Sequence, residues 1–390
     1  MKIAVVFDGL GYGGIERVGI DYIKILQRLG HEVDVYNINP KNTDMERLLP
    51  NNCHIVHHSF NQFLCPELYS FGVKKWWWGK FAYPIIHLGL SVIIQMRKII
   101  EKNRIKNYDL AIAFSGHFND LTFVASGFIK SRKKMCWLHG ALYGYLLIAD
   151  GYIHLYNKIK NLVVLVEDAQ EEALIYNKFI KLNINKLYNP TYIAQREIDE
   201  IKVKELKNLY GDFILMVARF AYPHKDHYTV INAIVYLKEV YKLKINIIFI
   251  GDGPEYQNVK KYCEKCKVDD QVYFLGSKYD VENYYLACKI VVHASVAGEG
   301  LPTVILEAFS FGKPIVVTDS KVGPREILKD NEYGLLCNVK DGSDMAKQIY
   351  RLLTDESLFN YYVDQGYKRI KDFDPEVIAL QLEKILTTLN

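Results

Sequence analysis

The chain has 390 residues, 50% of them hydrophobic and 24% charged, with a formal net charge of +4 at pH 7. This length predicts two domains that each bury a core, and the composition is that of a soluble globular protein, not of a disordered or fibrous one. Residues 1–190 hold 23 Lys and Arg against 16 Asp and Glu, whereas the remaining residues hold 26 against 29. The first half is therefore the basic one, and we predict no nucleic-acid partner.

The first residues and the cysteines both indicate a protein of the reduced cytoplasm. The apolar run after Met1 is short and ends at Asp8, which is not the layout of a signal peptide. The seven cysteines are scattered and odd in number, so they do not indicate a disulfide framework. Cys263 and Cys266 form a CxxC pair, but no second pair or histidine couple nearby completes a zinc site, and a surface helix is expected there.

The chain opens with the pattern of a doubly wound α/β domain. Residues 2–7 predict a first strand, a glycine-rich stretch follows at 8–17, and an amphipathic helix runs to about Leu29. Residues 32–36 then alternate as a second strand. Strand, glycine loop, helix and strand in this order are the start of a parallel sheet with helices on its faces.

The glycine loop argues against a nicotinamide oxidoreductase. A dinucleotide fingerprint needs Gly-x-Gly-x-x-Gly, followed about 20 residues later by an acidic residue. The chain offers Gly11, Gly13 and Gly14 and then Ile15, which breaks that spacing. A thermal-shift assay with NAD would test this interpretation, and we expect no binding.

Residues 71–106 differ from their surroundings. The three tryptophans at 76–78 lie among lysines and precede an apolar helical run, Phe81 to Met96, after which the chain is basic. The apolar run is too short to span a bilayer and contains Pro84. Two interpretations remain open. Residues 74–106 make a peripheral membrane contact, which tryptophans and lysines around an apolar helix favour, or the helix packs on its domain with a lysine-rich outer face.

A histidine ends one of the later strands of the first half. Further strands are predicted at 108–114, 134–140 and 162–166. His139 lies at the carboxyl end of the second of them, just before a glycine. A lone histidine is usually structural, but ligands collect at the carboxyl ends of strands in open α/β sheets, so His139 is a candidate site residue. A turn at 187–190 closes the domain, and the polar stretch from about Thr191 to Gly211 predicts a linker.

The second half places two cations beyond the end of a strand. Residues 213–218 predict a buried strand, and Arg219 and Lys225 follow it six residues apart. A guanidinium fork and an ammonium group at such a position suit the clamping of a diphosphate. Further strands are predicted at 244–250, 272–276 and 314–318, with helical residues at 341–370 and a final amphipathic helix at 376–389.

Two glutamates flank the start of a helix after another strand. The β-branched run 289–293 predicts the strand, and the apolar residues from Pro302 to Phe311 predict the helix. Pro302 suits the first helical position, and the free amides of that turn then form an anion site. On a continuous helix Glu299 and Glu307 would lie about 80° off a common face, so we place Glu299 in the turn and Glu307 inside the helix. Taken alone, this spacing fits two solvated glutamates better than a site.

Together these landmarks resemble the family-4 retaining glycosyltransferases of the GT-B fold. Over about 213–340 five features occur in the family's order: Arg219 with Lys225, the Gly-Asp-Gly-Pro turn at 251–254, Phe-Leu-Gly at 274–276, Glu299 with Glu307, and the strand from Pro314. In the first half the resemblance rests on the Gly-Gly-Ile-Glu-Arg loop at 13–17 and on Trp-Leu-His-Gly at 137–140.

The resemblance implies an architecture and a function. Two Rossmann-like doubly wound α/β domains would face a cleft, with residues 1–195 and a C-terminal helix at 375–390 for the acceptor and residues 205–372 for the nucleotide sugar. The implied reaction moves a hexose or N-acetylhexosamine, with retention, from a UDP-linked sugar to a lipid-linked or glycan acceptor. Such a reaction belongs to surface-polysaccharide biosynthesis at the inner face of the cytoplasmic membrane.

The resemblance also implies roles for individual residues. Arg219 and Lys225 would bind the donor diphosphate and act in catalysis together with Glu299 and His139, which reach the transferred sugar. Glu307 would bind the ribose hydroxyls. The other expected donor contacts come from the glycine loop, the loop that receives the nucleobase and the helix start, namely Gly13, Gly14, Gly276, Gly300, Leu301, Pro302 and Thr303.

Neither a metal nor a cofactor is predicted, the nucleotide sugar being a substrate. Asp372 and Asp374 form a DxD pattern, but Pro375 follows it, which predicts a helix cap. No nucleophile for a two-carboxylate retaining route is evident in the first half, so front-face attack is the hypothesis. Two alternatives remain open: a sugar-nucleotide epimerase of the same architecture, and a non-catalytic nucleotide-sugar-binding protein.

Overall fold

The computed structural model describes residues 1–70, 72–101, 106–139, 151–168, 171, 182–191, 198–296, 299–321 and 323–389. The chain forms two compact units. Unit 1 comprises Met1–Pro190 together with Pro375–Asn390, and unit 2 comprises Thr191–Asp374. Each unit has its own parallel sheet.

Unit 1 is organised around a parallel sheet whose described part has seven strands. They are β1 (Lys2–Phe7), β2 (Glu32–Asn37), β3 (His54–His57), β4 (Asn107–Ala113), β5 (Lys130–Leu138), β6 (Asn161–Val164) and β7 (Asn183–Lys186). Their order is β3-β2-β1-β4-β5-β6-β7. The order reverses between β1 and β4, and ligands of doubly wound sheets bind beyond the carboxyl ends of the strands at such a switch point.

The α-helices described in unit 1 before β7 are α1 (Gly14–Arg28), α2 (Gly72–Lys75), α3 (Gly79–Glu101), α4 (Phe118–Ser126) and α5 (Gly151–Ile159). Helix α1 lies so close to β1 that a Cβ atom at Gly19 would overlap the ring of Phe7. Beside this contact the buried rings of Tyr22, Phe114 and Trp137 pack together, with Tyr22 and Trp137 centroids 4.7 Å apart. This aromatic cluster fixes helix α1 against the centre of the sheet.

Unit 2 repeats the architecture with six strands among its described residues. They are β8 (Phe213–Val217), β9 (Asn246–Ile250), β10 (Val272–Phe274), β11 (Ile290–His293), β12 (Ile315–Thr318) and β13 (Leu335–Cys337). The strands are parallel in the order β10-β9-β8-β11-β12-β13. Here the reversal falls between β8 and β11. The predicted doubly wound α/β fold is confirmed in both units.

The α-helices described in unit 2 are α6 (Glu200–Tyr210), α7 (His227–Glu239), α8 (Tyr256–Lys265), α9 (Val281–Ala287), α10 (Thr303–Ser310), α11 (Gly323–Leu328), α12 (Gly342–Thr354) and α13 (Glu356–Arg369). The last helix, α14 (Pro375–Thr388), belongs to unit 1. The core of unit 2 is apolar and includes Met216, Ile231, Phe249 and Val292. No helix among the described residues is long and apolar enough to cross a membrane.

Two local predictions are wrong. The stretch from Thr191 to Gly211 is not a linker throughout, because α6 occupies its second part. Asp199 caps that helix by accepting from the amides of Ile201 and Lys202, and Leu206 is buried. Helix α10 begins one residue later than predicted, because Pro302 has an extended ψ of 107° and takes the N-cap position.

Candidate functional site

The loop after β8 is held against the end of β11. The amide of Asp226 donates to the carbonyl oxygen of Ala294 at 2.8 Å, and the amide of Val296 donates to that of Pro223 at 2.9 Å. Asp226 is buried and caps α7 by accepting from Thr229. These bonds bring the two strand ends at the switch point of unit 2 together, where sheets of this type bind ligands.

Lys225, His293 and Glu299 meet at this switch point. The Nζ atom of Lys225 lies 2.6 Å from Oε1 of Glu299. Nε2 of His293, the last residue of β11, lies 3.2 Å from Oε2 of the same carboxylate and 3.4 Å from the Lys225 ammonium. His293 is fully buried, and the side chains of Lys225 and Glu299 are 24% and 11% exposed. The carboxylate is thus held by one donor on each oxygen.

The surroundings set the charges of this cluster. Burial alone would raise the pKa of Glu299, but His293 and the ammonium of Lys225 outweigh it and lower that pKa to about 2. Burial, followed by the charge of Lys225, lowers the pKa of His293. At pH 7 the cluster therefore contains a carboxylate, an ammonium group and a neutral imidazole whose Nε2–H donates to the carboxylate.

The turn that carries Glu299 is fixed on its other side by the chain before α11. The amide of Glu299 donates to the carbonyl of Lys321 at 3.0 Å, and the amide of Gly323 donates to the carbonyl of Glu299 at 3.0 Å. A Cβ atom at Gly323 would overlap the carbonyl oxygen of Gly300, so only glycine allows this approach. The backbone amide and carbonyl of Glu299 are therefore both hydrogen-bonded to this segment, which fixes the point from which the carboxylate side chain extends.

The Gly-Asp-Gly-Pro turn supports the loop that contains Arg219. A Cβ atom at Gly251 would overlap the carbonyl oxygen of Ala218, which explains why the turn needs glycine there. The amide of Phe220 donates to the carbonyl of Asp252 at 3.0 Å. Arg219 lies between these contacts and its side chain is exposed at the carboxyl edge of the sheet. Gly276 adjoins the same turn, because its carbonyl accepts from the amide of Gly251 at 2.9 Å.

Glu307 lies on α10, and its Oε2 accepts from the hydroxyl of Tyr285 at 2.7 Å. No side chain caps the start of α10. Of the predicted donor contacts there, Leu301 and Pro302 are buried and Thr303 is exposed. The first amides of α10 follow the Glu299 turn directly, and a helix start of this kind favours an anion.

The predicted site residues of unit 1 lie at the carboxyl edge of its sheet. Gly13 caps α1 with extended backbone and Gly14 is its first residue, and both are exposed. His139 follows β5, and its Nε2 donates to the carbonyl oxygen of Phe114 at 2.7 Å. Burial, together with the nearby His117, lowers the pKa of His139 to about 4, so its ring is neutral at pH 7.

Several polar residues beside the predicted ones were not identified from the sequence. In unit 1, Nδ1 of His117 lies 3.7 Å from Oδ2 of Asp8, which also accepts from Asn119 at 2.9 Å. The nearby carboxylate of Asp8 raises the pKa of His117. In unit 2, His293 and Tyr285 were missed. His117 follows Gly116 just beyond a strand. A histidine at a strand end was the signal that led to the prediction of His139, and the same signal could have identified His117.

The DxD aspartates are not arranged as a metal site. Asp372 pairs with Arg369 at 2.5 Å, and Asp374 directly precedes α14. Within the described part of the chain, no group of three or more His, Cys, Asp or Glu side chains is placed to hold a metal ion. The predicted cations Arg219 and Lys225 both follow β8 and lie in the loop at the switch point of unit 2.

Comparison with known proteins connects this site to one family. The family model of glycosyl transferases group 1 matches residues 197–369. An uncharacterized glycosyltransferase of Haemophilus influenzae is 24% identical over 388 residues, which is 96% of each chain. An N-acetylgalactosaminyltransferase of Campylobacter jejuni, named for its N-acetylgalactosamine-N,N'-diacetylbacillosaminyl-diphospho-undecaprenol acceptor, is 29% identical over 194 residues, half of each chain. Other curated relatives are matched over 15%, 47% and 42% of their own length.

Solved structures share the whole architecture. The crystal structure of HepE from Anabaena in complex with UDP matches the entire chain with a TM-score of 0.75 and 21% sequence identity, and it is itself covered completely. At this level of identity the match establishes the fold. The reported complex with UDP is a property of HepE.

Proposed function

We propose that this chain, whose residues 197–369 match the group 1 glycosyltransferases and which has the GT-B fold, is a glycosyltransferase that transfers a hexose or N-acetylhexosamine from a UDP-sugar to a lipid-linked or glycan acceptor. The proposed reaction retains the anomeric configuration and belongs to surface-polysaccharide biosynthesis. The observation that carries the proposal is the cluster of Lys225, His293 and Glu299 beside the uncapped start of α10.

The cluster suits departure of a nucleoside diphosphate. When the bond between sugar and phosphate breaks, negative charge develops on the leaving phosphate, and fixed positive groups lower that barrier most. One N–H of the Lys225 ammonium group donates a hydrogen bond to Glu299, and the others can donate to a phosphate oxygen. Arg219 and the first amides of α10 would add further donors. Each charge-assisted contact contributes about 1.5–3 kcal/mol, so two such contacts account for roughly a 10²–10⁴-fold effect on rate.

Glu299 suits the sugar side of the same bond. The sugar gains positive charge as the phosphate leaves, and an ionised carboxylate favours that charge while accepting a sugar hydroxyl. Its low pKa keeps Glu299 ionised over the whole neutral range. Glu307, oriented by Tyr285, would accept from the ribose hydroxyls, and the loop at Gly276 would receive the nucleobase.

We further propose front-face attack without a metal or cofactor. The acceptor hydroxyl would attack from the side of the departing phosphate, which takes its proton. The positive charge that a divalent ion supplies in other phosphate sites would come from Arg219, Lys225 and the helix start. The carboxyl edge of unit 1, with Gly13, Gly14 and His139, is the proposed place for the acceptor and the transferred sugar.

The acceptor class rests on the relatives. One is named for transfer to a diphospho-undecaprenol-linked saccharide, another for lipopolysaccharide core biosynthesis, and a third for amylovoran biosynthesis. A lipid-linked or growing glycan acceptor at the inner face of the cytoplasmic membrane is therefore proposed for this chain as well.

The test is a screen of nucleotide sugars for slow donor hydrolysis, followed by transfer to undecaprenyl-diphosphate-linked sugars. We expect release of UDP from one UDP-sugar, faster with an acceptor, and NMR of the product should show the donor's anomeric configuration. Conversion of the sugar without release of UDP would identify an epimerase. Tight donor binding with no release under any acceptor would identify a binding protein.

A further inference from the structure

Helix α3 turns an apolar side away from unit 1. Its large hydrophobic residues at spacings of three and four are all between 52% and 74% exposed. They form the apolar face, defined as Phe81, Ile85, Leu88, Val92, Met96 and Ile99. Residues at this spacing lie on one side of a helix. An amphipathic helix of a globular protein normally turns that side inward.

The opposite side of α3 attaches the helix to unit 1. Ile94 is buried there, Oε2 of Glu101 lies 2.9 Å from Nε2 of His58, and Nε2 of His87 lies 3.8 Å from Oε1 of Glu67. The polar contacts therefore point inward and the apolar face outward. Among the described residues of α3, only Gly79 and Ile94 are buried.

The tryptophans before α3 extend this exposed surface. Trp77 is 85% exposed, and the rings of Trp76 and Trp78 stack at 5.1 Å with nearly parallel planes. Tryptophan is the side chain most typical of the boundary between lipid and water. Of the two interpretations for 74–106, the one with a lysine-rich outer face is wrong, because the exposed side of α3 is apolar. The membrane contact stays a prediction.

A pocket of lysines adjoins the helix. It has a volume of about 490 Å³ and is lined by Lys98 of α3 and by Lys130, Ser131 and Lys134 of β5, with no carboxylate among its described lining residues. We call it the lysine pocket. Lys134 donates to the carbonyl of Ala125 at 3.1 Å, which leaves further ammonium protons for a ligand.

Two lysines of this pocket, Lys98 and Lys134, repel each other, and the nearby Lys158 acts on both. Burial, and then the charges of Lys98 and Lys158, lower the pKa of Lys134, and burial followed by Lys158 lowers that of Lys98. A phosphate group between them would relieve this repulsion. Ser131 also lines the pocket, and its buried hydroxyl makes no hydrogen bond in the described structure.

We propose that unit 1 docks on an anionic lipid surface, with the apolar face of α3 in the acyl boundary and a lipid phosphate in the lysine pocket. Charge complementarity favours this occupant over a second copy of the chain. The described part of this surface carries Lys75, Lys80 and the three lysines of the lysine pocket, so two copies meeting through it would bring like charges together. Anionic lipid headgroups attract juxtaposed basic residues.

The experiment is sedimentation of the full chain with vesicles, which needs no transfer assay and is independent of the donor. Vesicles of equal parts phosphatidylglycerol and phosphatidylcholine are compared with vesicles of phosphatidylcholine alone. We expect strong binding to the first and weak binding to the second. A wild-type protein that stays in the supernatant with both would overturn the proposal.

Two variants separate the two parts of the surface. Replacing Ile85, Leu88 and Val92 together by Ser should reduce binding to both vesicles roughly 100-fold or more, because exposed apolar side chains supply the insertion. Replacing Lys98 and Lys134 by Gln should reduce binding to the phosphatidylglycerol vesicles roughly 30-fold and leave binding to phosphatidylcholine unchanged. Equal preference for phosphatidylglycerol in the wild type and the lysine variant would overturn the assignment of the pocket.

Matched controls come from unit 2. Leu209→Ser removes a side chain that is 71% exposed, and Lys260→Gln with Lys261→Gln removes two exposed lysines. Both controls should bind vesicles as the wild type does, and all variants should keep its circular dichroism spectrum and melting temperature. Light scattering without lipid tests the rival occupant. A dimer that the Ser variant abolishes, with unchanged vesicle binding, would assign the face to a second copy instead.

Discussion

The ammonium group of Lys225 and the carboxylate of Glu299, 74 residues apart in the chain, form a direct ion pair at 2.6 Å in a largely buried position. The pair joins the end of β8 to the end of β11 at the switch point of unit 2. It places the cation expected for the leaving phosphate next to the carboxylate expected for the sugar. One group therefore cannot be altered without changing the environment of the other.

Replacing Glu299 tests its negative charge. Glu299→Gln keeps the shape of the side chain but removes the charge that favours a positive sugar, so transfer should fall about 100-fold or more in kcat. The exposed Glu264→Gln in α8 is the matched control and should keep wild-type turnover. Turnover of Glu299→Gln within a factor of about two of the wild type would exclude a role for the charge.

Replacing Tyr285 tests the orientation of Glu307. Tyr285→Phe removes the hydroxyl that donates to Glu307 at 2.7 Å and leaves the buried ring in place. Because the ribose contact is present in both ground state and transition state, KM for the UDP-sugar should rise roughly 3- to 10-fold with kcat nearly unchanged.

The matched control is Tyr262→Phe, which loses a hydroxyl that donates to Asn232 at 2.8 Å on the surface of unit 2. It should leave both constants unchanged. A Tyr285→Phe enzyme with lower kcat and unchanged KM would place Glu307 in the chemical step and contradict the ribose assignment.

His227 predicts how stability depends on pH. Burial, followed by the charge of His293, lowers the pKa of His227 from 6.5 to about 3. Below pH 6.5 the unfolded chain binds a proton at His227 that the folded chain excludes. The contribution of His227 to the free energy of unfolding is therefore complete above that pH and is lost as the pH falls towards 3. The loss from this residue should be about 1.4 kcal/mol between about pH 7.5 and about pH 5.5.

Denaturant unfolding of wild type and His227→Phe at those two pH values measures this contribution. Phenylalanine preserves the stack on Phe220, whose centroid lies 3.9 Å from that of His227, and removes the titrating group. The variant should lose about 1.4 kcal/mol less than the wild type on acidification. Identical losses in the two proteins would show that His227 is not buried in its neutral form.

Much of the fold could be predicted from the sequence because strands of a parallel sheet are buried on both faces. Short β-branched runs such as those at 213–217 and 290–293 therefore mark them, and glycine turns mark their ends. The predicted linker was too long because α6 has a polar surface and, of its residues, only Leu206 is buried. Local polarity there does not distinguish a surface helix from a loop.

The site could be predicted only in part. Arg219, Lys225, Glu299 and Glu307 were recognisable as charged residues near strand ends. The direct pairing of Lys225 with Glu299 was not predictable from local pattern, because it depends on the adjacency of two strands distant in sequence. His293 was missed because it ends a strand that otherwise reads as wholly apolar.

The outward face of α3 shows another limit of sequence patterns. Apolar residues occur around much of this helix, so the sequence did not determine which side packs on unit 1. The decision rests on tertiary contacts such as His58 with Glu101 and His87 with Glu67. Those partners come from loops and short helices that precede α3 in the chain.

Metal dependence tests the proposed source of positive charge. If Arg219, Lys225 and the start of α10 neutralise the leaving diphosphate, the transfer rate should be the same within a factor of about two before and after EDTA treatment. The assay is UDP release with and without added Mg²⁺ or Mn²⁺. A strict requirement for either ion would contradict the proposed mechanism.

The most direct test of the account is calorimetric binding of UDP to the wild type, Lys225→Ala and the surface control Lys244→Ala. Lys244 pairs with Asp270 on unit 2, away from the switch point in sequence and sheet position. We expect that the wild type and the control bind UDP equally and that Lys225→Ala binds at least about 10-fold more weakly. Equal affinity of all three proteins, or no binding by the wild type, would contradict it.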